Sequence, residues 1–287
     1  MENGSGGVVR ISVVIPVFNE ESSIGDSLDS LAAQRRPIDE CIIVDNNSTD
    51  RTVDIVDEFT DRLPIRVIRE SRQGATWARR TGNDSATGDV IGVIDADTLV
   101  EPGWTEVIER YLTDNPEIDG ISGPFYFHDS PFAERGRRNA LSAAEEHGLR
   151  DVGHTALSGG NSAFRREVWH SSKRHMKNLP GTHEDVDFTY ALGVAGARLR
   201  RVPALVAAIS TRRYEASIRS NWGYLTATVR TQRAHGDHRT ATVQTVLLPL
   251  NIVQIAVSGL VFRPYDPTTG KWRPFRRAAV DRVSPVT

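Results

Sequence analysis

The chain has 287 residues, of which 39% are hydrophobic and 25% are charged, and its formal net charge is −2 at pH 7. This composition is typical of a soluble globular protein, with one large domain or one domain and an appendage. The near-neutral charge gives no general basic patch, so we expect no nucleic-acid partner. The single cysteine, Cys41, excludes internal disulfides and a cysteine-based zinc site, and we expect it in the core.

Strand patterns recur through the first 125 residues. Short apolar, β-branched runs predict buried strands at 11–17, 41–45, 65–70 and 90–95. The segments between them have helical spacing, and strands separated by such helices indicate parallel β-α-β units. The sequence therefore predicts an α/β fold with a mostly parallel sheet.

Polar residues suggest where the helices begin. The first helix is expected to be capped by Ser22 or Ser23, and the second, which runs to about residue 60, by Ser48 or Thr49. A third helix is expected over about 73–86. Pro102 suits the first turn of a fourth helix, where its missing N–H costs nothing.

Polar clusters follow three of the predicted strands, at Val17–Glu20, Asp45–Asn47 and Asp95–Asp97. In an open parallel sheet, ligands bind outside the carboxyl ends of the strands, so these clusters are expected to meet at one edge. A single aspartate after a strand commonly forms only a turn. Three clusters at one edge indicate a binding site instead.

The pair Asp95 and Asp97 allows two interpretations. Two carboxylates without a nearby histidine or cysteine suit Mg²⁺ or Mn²⁺, which are commonly shared with phosphate oxygens, so a nucleotide diphosphate is the expected ligand. The alternative is a phosphatase of the haloacid dehalogenase class, in which the first aspartate is the nucleophile. In that class the motif follows the first strand and the threonine comes two residues after the second aspartate. Here the motif ends the fourth strand, and Thr98 follows Asp97 directly.

Five segments, in order, resemble the inverting family 2 glycosyltransferases, which have the GT-A fold. They are SVVIPVFNEESSIGDSLDSL, IIVDNNSTDRT, GDVIGVIDADTLVEPGW, SGGNSAFRREVW and HEDVDFTYAL. The resemblance covers about 10–215 and implies a Rossmann-like sheet flanked by helices. It also implies metal-dependent transfer of a sugar, with inversion, from a nucleotide-diphosphate sugar to an acceptor hydroxyl. The Q-x-x-R-W string of processive members does not occur, so we expect a single transfer per acceptor.

The resemblance assigns roles in donor binding, and we expect a UDP-sugar. Asp45 would accept a hydrogen bond from the uracil ring N–H, since an ionised carboxylate offers only acceptors. Arg79 would reach the nucleotide from the third helix, although Arg80 stands where the family commonly has asparagine. Asp97 would bind the Mn²⁺ or Mg²⁺ directly, and Asp95 would contact the ribose or the metal's waters. The other expected donor contacts are Pro16, Val17, Asn19, Glu20, Gly159, Gly160, Asn161, Arg212 and Arg213, with the last two closing over the diphosphate.

The resemblance also places the catalytic base in HEDVDF. Asp185 would take the proton of the acceptor hydroxyl on the face opposite the leaving group, and Glu184 would position the acceptor or support the base. His183 is a neighbouring alternative base. The segment that follows has a helical pattern, so the acidic pair would lie at a helix N-terminus, where acidic residues are also common simply as capping groups.

The remaining residues, 216–287, are expected to form a helical extension with a basic tail. The apolar segment 240–262 has no charged residue and is long enough to span a membrane. Both flanks are basic, with Arg239 before and Arg263 after it, which disfavours a single crossing. A segment at the membrane surface, a homodimer-interface helix and a core helix stay open. At a membrane, a polyprenyl-phosphate or glycolipid acceptor would be favoured.

The expected organisation has a flexible N-terminus at 1–9 and a GT-A domain at 10–215. The nucleotide-binding half would cover 10–100 and the acceptor-binding half 101–215. The N-terminal stretch MENGSGGVVR lacks the apolar region of a signal peptide, so we expect a cytoplasmic protein or one peripheral on the cytoplasmic face of a membrane. Two functional alternatives are a catalytically inactive nucleotide- or carbohydrate-binding module and a nucleotidyltransferase. A nucleotidyltransferase would need a glycine-rich phosphate loop after the first strand, and the segment VFNEES there contains no glycine.

Overall fold

The computed structural model describes residues 9–273, so most of the predicted flexible N-terminus and basic tail lies outside the described residues. The first half alternates strands and helices as predicted. Its elements are β1 (Ile11–Val17), α1 (Ile24–Ala32), β2 (Glu40–Asp45), α2 (Thr52–Asp57), β3 (Ile65–Arg69), α3 (Ala75–Ser85) and β4 (Val90–Ile94).

The second half has shorter strands. Its elements are β5 (Leu99–Val100), α4 (Trp104–Asp114), β6 (Gly120–Ser122), β7 (Phe125–Phe127), α5 (Ala133–His147), β8 (Asn161–Arg165), α6 (Arg166–Ser172), α7 (Glu184–Val194), β9 (Leu199–Arg201) and β10 (Ala207–Ile209). A short 3₁₀ turn, Lys173–His175, follows α6. The C-terminal part contains α8 (Arg212–Glu215), α9 (Ile218–Ala234), α10 (His238–Phe262), β11 (Tyr265–Asp266) and β12 (Lys271–Trp272).

Three details of the predicted helix starts are wrong. Ser23 is at the N-cap of α1, but its hydroxyl donates to the Glu20 carboxylate at 2.7 Å instead of capping the helix. Helix α2 begins two residues later than a Thr49 cap would place it, because Ser48 is held in a turn, where its N–H donates to Asp45 Oδ1 at 2.9 Å. Pro102 lies in the turn before α4, which begins at Trp104.

The central sheet has seven strands in the order β3-β2-β1-β4-β8-β6-β9. The first four are parallel, β8 is antiparallel to both of its neighbours, and β6 and β9 are parallel. The predicted mostly parallel α/β sheet is confirmed. Because β2, β1 and β4 are adjacent and parallel, their carboxyl ends share one edge, and β8 starts at that edge with Asn161 opposite Ile94.

Apolar side chains fill both faces of this sheet and fix its position against the helices. Cys41 is fully buried on β2, as expected, and burial raises the pKa of its thiol to about 12. The buried Trp104 ring of α4 packs on Gly92 of β4, where a Cβ atom would lie 2.6 Å from the indole. A glycine is therefore required there for α4 to approach the sheet.

The C-terminal extension contains two long helices and ends in a small hairpin. Helix α10 packs against α9 and α8, so the predicted helical extension is present, whereas the β11–β12 hairpin was not predicted. Within the described residues, α10 is the single helix long and apolar enough to cross a membrane, and only 11% of that apolar window is buried. The interpretation of 240–262 as a buried core helix is therefore wrong.

Candidate active site

The loops after β1 and β2 brace one another at the predicted edge. The Asn19 side chain accepts a hydrogen bond from the Thr49 N–H at 2.8 Å, and the Glu20 N–H donates to Thr52 Oγ1 at 2.7 Å. Asn19 has a φ of 52° and Asn47 a φ of 69°, a left-handed conformation that asparagine tolerates better than most residues. The predicted clusters after β1 and β2 thus form one rigid rim.

Asp45 lies on this rim, buried at the end of β2, and one carboxylate oxygen fixes the turn that follows. Its neighbour Asn46 connects the rim to the loop after β3. The Asn46 amide donates to the Glu70 carbonyl and accepts from the Gly74 N–H, both at 2.7 Å. Sequence reasoning placed Asn46 in a polar cluster but assigned it no role, because its partners are 24 and 28 residues away.

An arginine from the far end of the domain bridges two acids of the edge. Arg212 Nη2 lies 2.7 Å from Glu20 Oε2 and 2.8 Å from Asp97 Oδ2. All three side chains are mostly buried. Burial alone would lower the pKa of Arg212, but the Asp97 and Glu20 carboxylates raise it above its ordinary value. The second aspartate of the D-x-D pair is therefore already paired with a cation.

A second arginine joins the D-x-D pair to the predicted catalytic pair. Arg79, almost fully buried on α3, donates to Asp95 Oδ1 and, at 3.0 Å, to Glu184 Oε1. Burial would lower the pKa of Arg79, whereas Asp95, Glu184 and Asp185 together raise it. The sequence predicted that Arg79 would reach the nucleotide; the structure instead brings it between two acids of the site.

The glycine pair before β8 leaves room for these groups. A Cβ atom on Gly159 would lie 2.8 Å from Arg79 Nη2, and one on Gly160 would lie 3.0 Å from Asp95 Oδ2. The sequence predicted both glycines as donor contacts. In the structure, the close approach is to the ion-paired side chains of the site itself.

Asn161 differs from its prediction. Its side chain is fully buried, its Oδ1 accepts from the Trp104 indole N–H at 2.8 Å, and its Nδ2 donates to the Leu205 and Pro124 carbonyls at 2.7 and 3.1 Å. These bonds use both amide protons and the carbonyl oxygen. The side chain therefore holds α4 and two loops together and does not face the crevice as predicted.

The acidic pair lies at the start of α7, as the sequence predicted. Asp185 Oδ2 faces the Gly159 N–H at 3.4 Å, so the pair adjoins the glycine loop. His183, the alternative base, is buried, and its Nε2 lies 3.1 Å from the Tyr224 carbonyl oxygen. Its ring also packs edge-on against the Tyr224 ring, which holds it in the wall of the site.

Arg213 also differs from the prediction that it closes over the diphosphate with Arg212. Its guanidinium stacks on the Tyr224 ring, 3.4 Å from the centroid. Burial raises the pKa of the Tyr224 hydroxyl, and the nearby Arg213 charge partly offsets this. Sequence reasoning missed Tyr224 because a lone tyrosine in a helical segment has no distinguishing pattern.

The C-terminal extension anchors α7. The buried Asp187 carboxylate accepts from the Lys177 and Asn178 N–H groups at 3.0 and 2.8 Å, and its Oδ1 lies 2.5 Å from His235 Nε2. The Tyr190 ring stacks on the His235 ring with centroids 4.6 Å apart. Asp187 thus fixes α7, the helix that carries the predicted base Asp185.

Arg212 thus joins the acids that follow β1 and β4, and Arg79 joins the D-x-D pair to the acidic pair at the start of α7. The family model described as Glycosyl transferase family 2 matches residues 12–171, more than half of the chain. The chain belongs to glycosyltransferase family 2.

One sequence relative and two solved structures are similar to this chain. The chain is 32% identical to the uncharacterized glycosyltransferase YibD of Escherichia coli over 123 residues, which cover 42% of this chain and 36% of YibD. The match thus spans little more than a third of that relative.

The structural likeness extends further along the chain. The mannosyltransferase PcManGT of Pyrobaculum calidifontis, solved with GDP-Man and Mn²⁺, has a TM-score of 0.61 and 22% identity, covering 88% of this chain and 74% of PcManGT. S. aureus TarS 1–349 with UDP-GlcNAc has a TM-score of 0.59 and 17% identity, covering 89% of this chain and 72% of TarS. These similarities confirm the predicted GT-A fold.

Proposed function

We propose that this glycosyltransferase moves a single sugar, with inversion, from a UDP-sugar to an acceptor hydroxyl, with a divalent metal assisting. The observation that carries the proposal is the gathering of four acids, Asp95, Asp97, Glu184 and Asp185, around one crevice. Two mostly buried arginines, Arg79 and Arg212, offset at most half of these four negative charges. Such an arrangement suits a ligand that brings both a cation and phosphate oxygens.

The donor's base would lie on the rim formed by the loops after β1 and β2. Pro16, Val17 and Asn19 belong to the first loop, and Asp45 to the second. Asp45 is buried at the strand end, and its carboxylate supplies the acceptor that a uracil N–H requires. TarS, solved with UDP-GlcNAc, has the same fold and supports UDP as the first nucleotide to test.

The metal would be Mn²⁺ or Mg²⁺, held by Asp97 and Asp95. Both are carboxylates, the ligand type that such ions prefer, and in the structure Asp97 is paired with Arg212 and Asp95 with Arg79, so a bound ion would take the place of these guanidinium groups. When bound, such an ion offsets the charge that develops on a departing nucleoside diphosphate. PcManGT, solved with GDP-Man and Mn²⁺, supports the use of a divalent metal. Arg212, once displaced from Asp97, would be within reach of the diphosphate oxygens.

Asp185 would act as the general base. It lies beside the glycine loop at the N-terminus of α7. Glu184, held by Arg79, would keep the acceptor or the base in place. With the donor along the D-x-D edge, Asp185 would take the proton from the acceptor hydroxyl as that oxygen attacks from the face opposite the leaving group.

A thermal-shift panel tests the donor and metal together. UDP, GDP and dTDP would be added with and without Mn²⁺ to the wild type and to Asp97→Ala, since a ligand of the native state raises the melting temperature. We expect the largest rise with UDP plus Mn²⁺, and its loss in Asp97→Ala. If the rise in melting temperature with nucleotide is the same with and without Mn²⁺ and in Asp97→Ala, the proposed metal role is contradicted. Nucleotide binding without any donor hydrolysis or transfer supports a catalytically inactive binding module.

A further inference from the structure

A narrow pocket of about 30 Å³ lies between α3 and α7, beside the predicted catalytic pair. We call it the α3–α7 pocket. Arg79 and Asn83 line it from α3, and Glu184 and Asp185 line it from α7. A volume of this size holds about two water-sized groups. The pocket therefore suits one small substituent of a larger ligand that lies at the site.

Two polar atoms of the pocket residues have no hydrogen-bond partner among the residues that the structure describes. They are Asn83 Oδ1 and Arg79 Nη1, and these side chains belong to residues that are only 4% and 8% exposed. Residues four apart lie on the same face of a helix, so both side chains extend from one side of α3. Burying a polar group without a partner destabilises the fold, so such a pair points to a ligand that completes it.

Much of the remaining lining is apolar. Leu157, Phe164 and Phe188 are buried residues of this wall, and the two phenylalanine rings pack with their centroids 5.0 Å apart. An apolar wall favours a methyl group and disfavours a charged one. The carboxylates of Glu184 and Asp185 also line the pocket, and they would repel an anionic substituent such as a carboxylate.

These features together define the chemistry of the group that the pocket takes. The group should accept a hydrogen bond from Arg79 Nη1, donate one to Asn83 Oδ1 and place an apolar end against the phenylalanine rings. A sugar hydroxyl can accept and donate but has no apolar end. An acetamido group has a carbonyl oxygen, an N–H and a methyl group, so it meets all three requirements.

We propose that the α3–α7 pocket binds the acetamido group of an N-acetylated sugar substrate. This inference rests on the proposed function, since it names the substrate class of the same site. Asp185 lines the pocket, so an acceptor sugar held there by its acetamido group would bring a neighbouring hydroxyl to the proposed base. Gly159 also lines the pocket and was predicted as a donor contact, so the same group can come from the donor sugar. The experiment below separates these two sources.

Saturation-transfer difference NMR tests the pocket without requiring turnover. In the acceptor arm, the full chain is mixed with UDP, Mg²⁺ and the methyl glycoside of N-acetylglucosamine or N-acetylgalactosamine. In the donor arm, it is mixed with Mg²⁺ and the UDP derivative of either sugar. We expect strong saturation transfer to the acetyl methyl protons in one arm. The matched glucose and galactose compounds, which lack the acetamido group, should bind about tenfold more weakly in that arm.

Variants of Asn83 test the amide itself. Asn83→Leu fills the space of the side chain without its amide, and Asn83→Ala removes the amide and leaves the pocket open. Both should reduce the affinity for the acetylated sugar by about tenfold, to that of the non-acetylated one. Asn83→Leu should also raise the melting temperature of the free protein, because an apolar group replaces an unpaired buried one. Asn139→Leu changes an exposed asparagine of α5 and should bind like the wild type.

The outcomes separate this inference from the proposed function. A preference for the acetylated sugar that both Asn83 variants abolish supports the pocket, and the arm in which it occurs identifies the acceptor or the donor. Equal affinity for acetylated and non-acetylated sugars in both arms, no methyl signal, or a preference that Asn83→Ala retains would overturn the pocket. The rise in melting temperature with UDP and Mn²⁺ reads the donor site independently. If that rise is absent while the preference persists, the donor proposal alone fails, and the reverse pattern counts against the pocket alone.

Discussion

Arg212 Nη2 lies 2.8 Å from Asp97 Oδ2, so an arginine occupies the carboxylate to which we assign the metal. The pair joins residues 115 positions apart, because Arg212 follows β10 and Asp97 follows β4. A cation that binds Asp97 must compete with this guanidinium. In the structure, the single positive charge of Arg212 is shared between Asp97 and Glu20.

The competition predicts that Arg212→Gln binds Mn²⁺ about tenfold more tightly than the wild type when no nucleotide is present, because Asp97 loses its internal cation. The melting temperature without metal should fall, since a mostly buried carboxylate is left without that partner. The free Mn²⁺ signal in electron paramagnetic resonance measures the affinity. Arg213→Gln is the control, because Arg213 stacks on Tyr224 and does not contact Asp97. Equal Mn²⁺ affinity in Arg212→Gln and the wild type would refute the competition.

The base assignment predicts that Asp185→Asn lowers turnover by about 10² to 10⁴-fold and leaves UDP-sugar affinity within about twofold. The amide keeps the shape of the side chain but does not accept a proton. Slow hydrolysis of the donor by water reports turnover while the acceptor is unidentified, and calorimetry reports affinity. Unchanged hydrolysis would move the role to Glu184 or His183, which are then tested with Glu184→Gln and His183→Gln.

The sequence predicted the first half of the fold well because its signals are local. Each of the strands β1 to β4 is a run rich in β-branched residues and at least five residues long. The polar clusters come directly after β1, β2 and β4. The strands β5, β7 and β10 have only two or three residues each, too few for a visible period, and β5 and β7 were missed. Their pairing is set by tertiary contacts that a linear pattern does not contain.

The site shows the same limit at the level of side chains. The positions of Asp95 and Asp97 after a strand, and of Glu184 and Asp185 at the start of a helix, were predictable, because they depend on local sequence patterns. The partners of Arg79, Arg212 and Arg213 were not predictable, since an arginine can pair with a phosphate, a carboxylate or an aromatic ring. The buried position of the Asn161 side chain was not predictable for a similar reason. The sequence around an asparagine in a glycine loop does not show whether its amide faces a ligand or the core.

The structural role of Asn161 predicts a large loss of stability without a loss of donor affinity. Asn161→Ala leaves the Trp104 indole N–H and two buried carbonyls without their partner and should lower the free energy of unfolding by about 3 kcal/mol. Urea unfolding measures it, with the exposed Asn139→Ala as the control. Donor affinity below the melting temperature should stay within about twofold of the wild type. A selective loss of donor binding at normal stability would instead restore the ligand-contact role.

The lowered pKa of Glu70 predicts that the stability of the protein falls at acid pH. Its hydrogen bonds with Arg72 lower the pKa of the carboxyl to about 2, and the group also accepts from Thr81. Because the folded pKa is below the unfolded one, the stabilisation is complete above about pH 4.5 and is lost as the pH falls toward 2. Because the Arg72 side chain is 56% exposed, solvent screens the pair, and we expect it to contribute at most about 1 kcal/mol.

Glu70→Gln should therefore lower stability at neutral pH and flatten the dependence between about pH 4.5 and 2. The measurement is urea unfolding of both proteins across that range, with the exposed Glu58→Gln as the control. Donor affinity should fall as well, because Glu70 and its neighbours hold the loop that Asn46 ties to the nucleotide rim. Parallel pH curves for Glu70→Gln and the wild type would show that the Arg72 pair contributes nothing to folding.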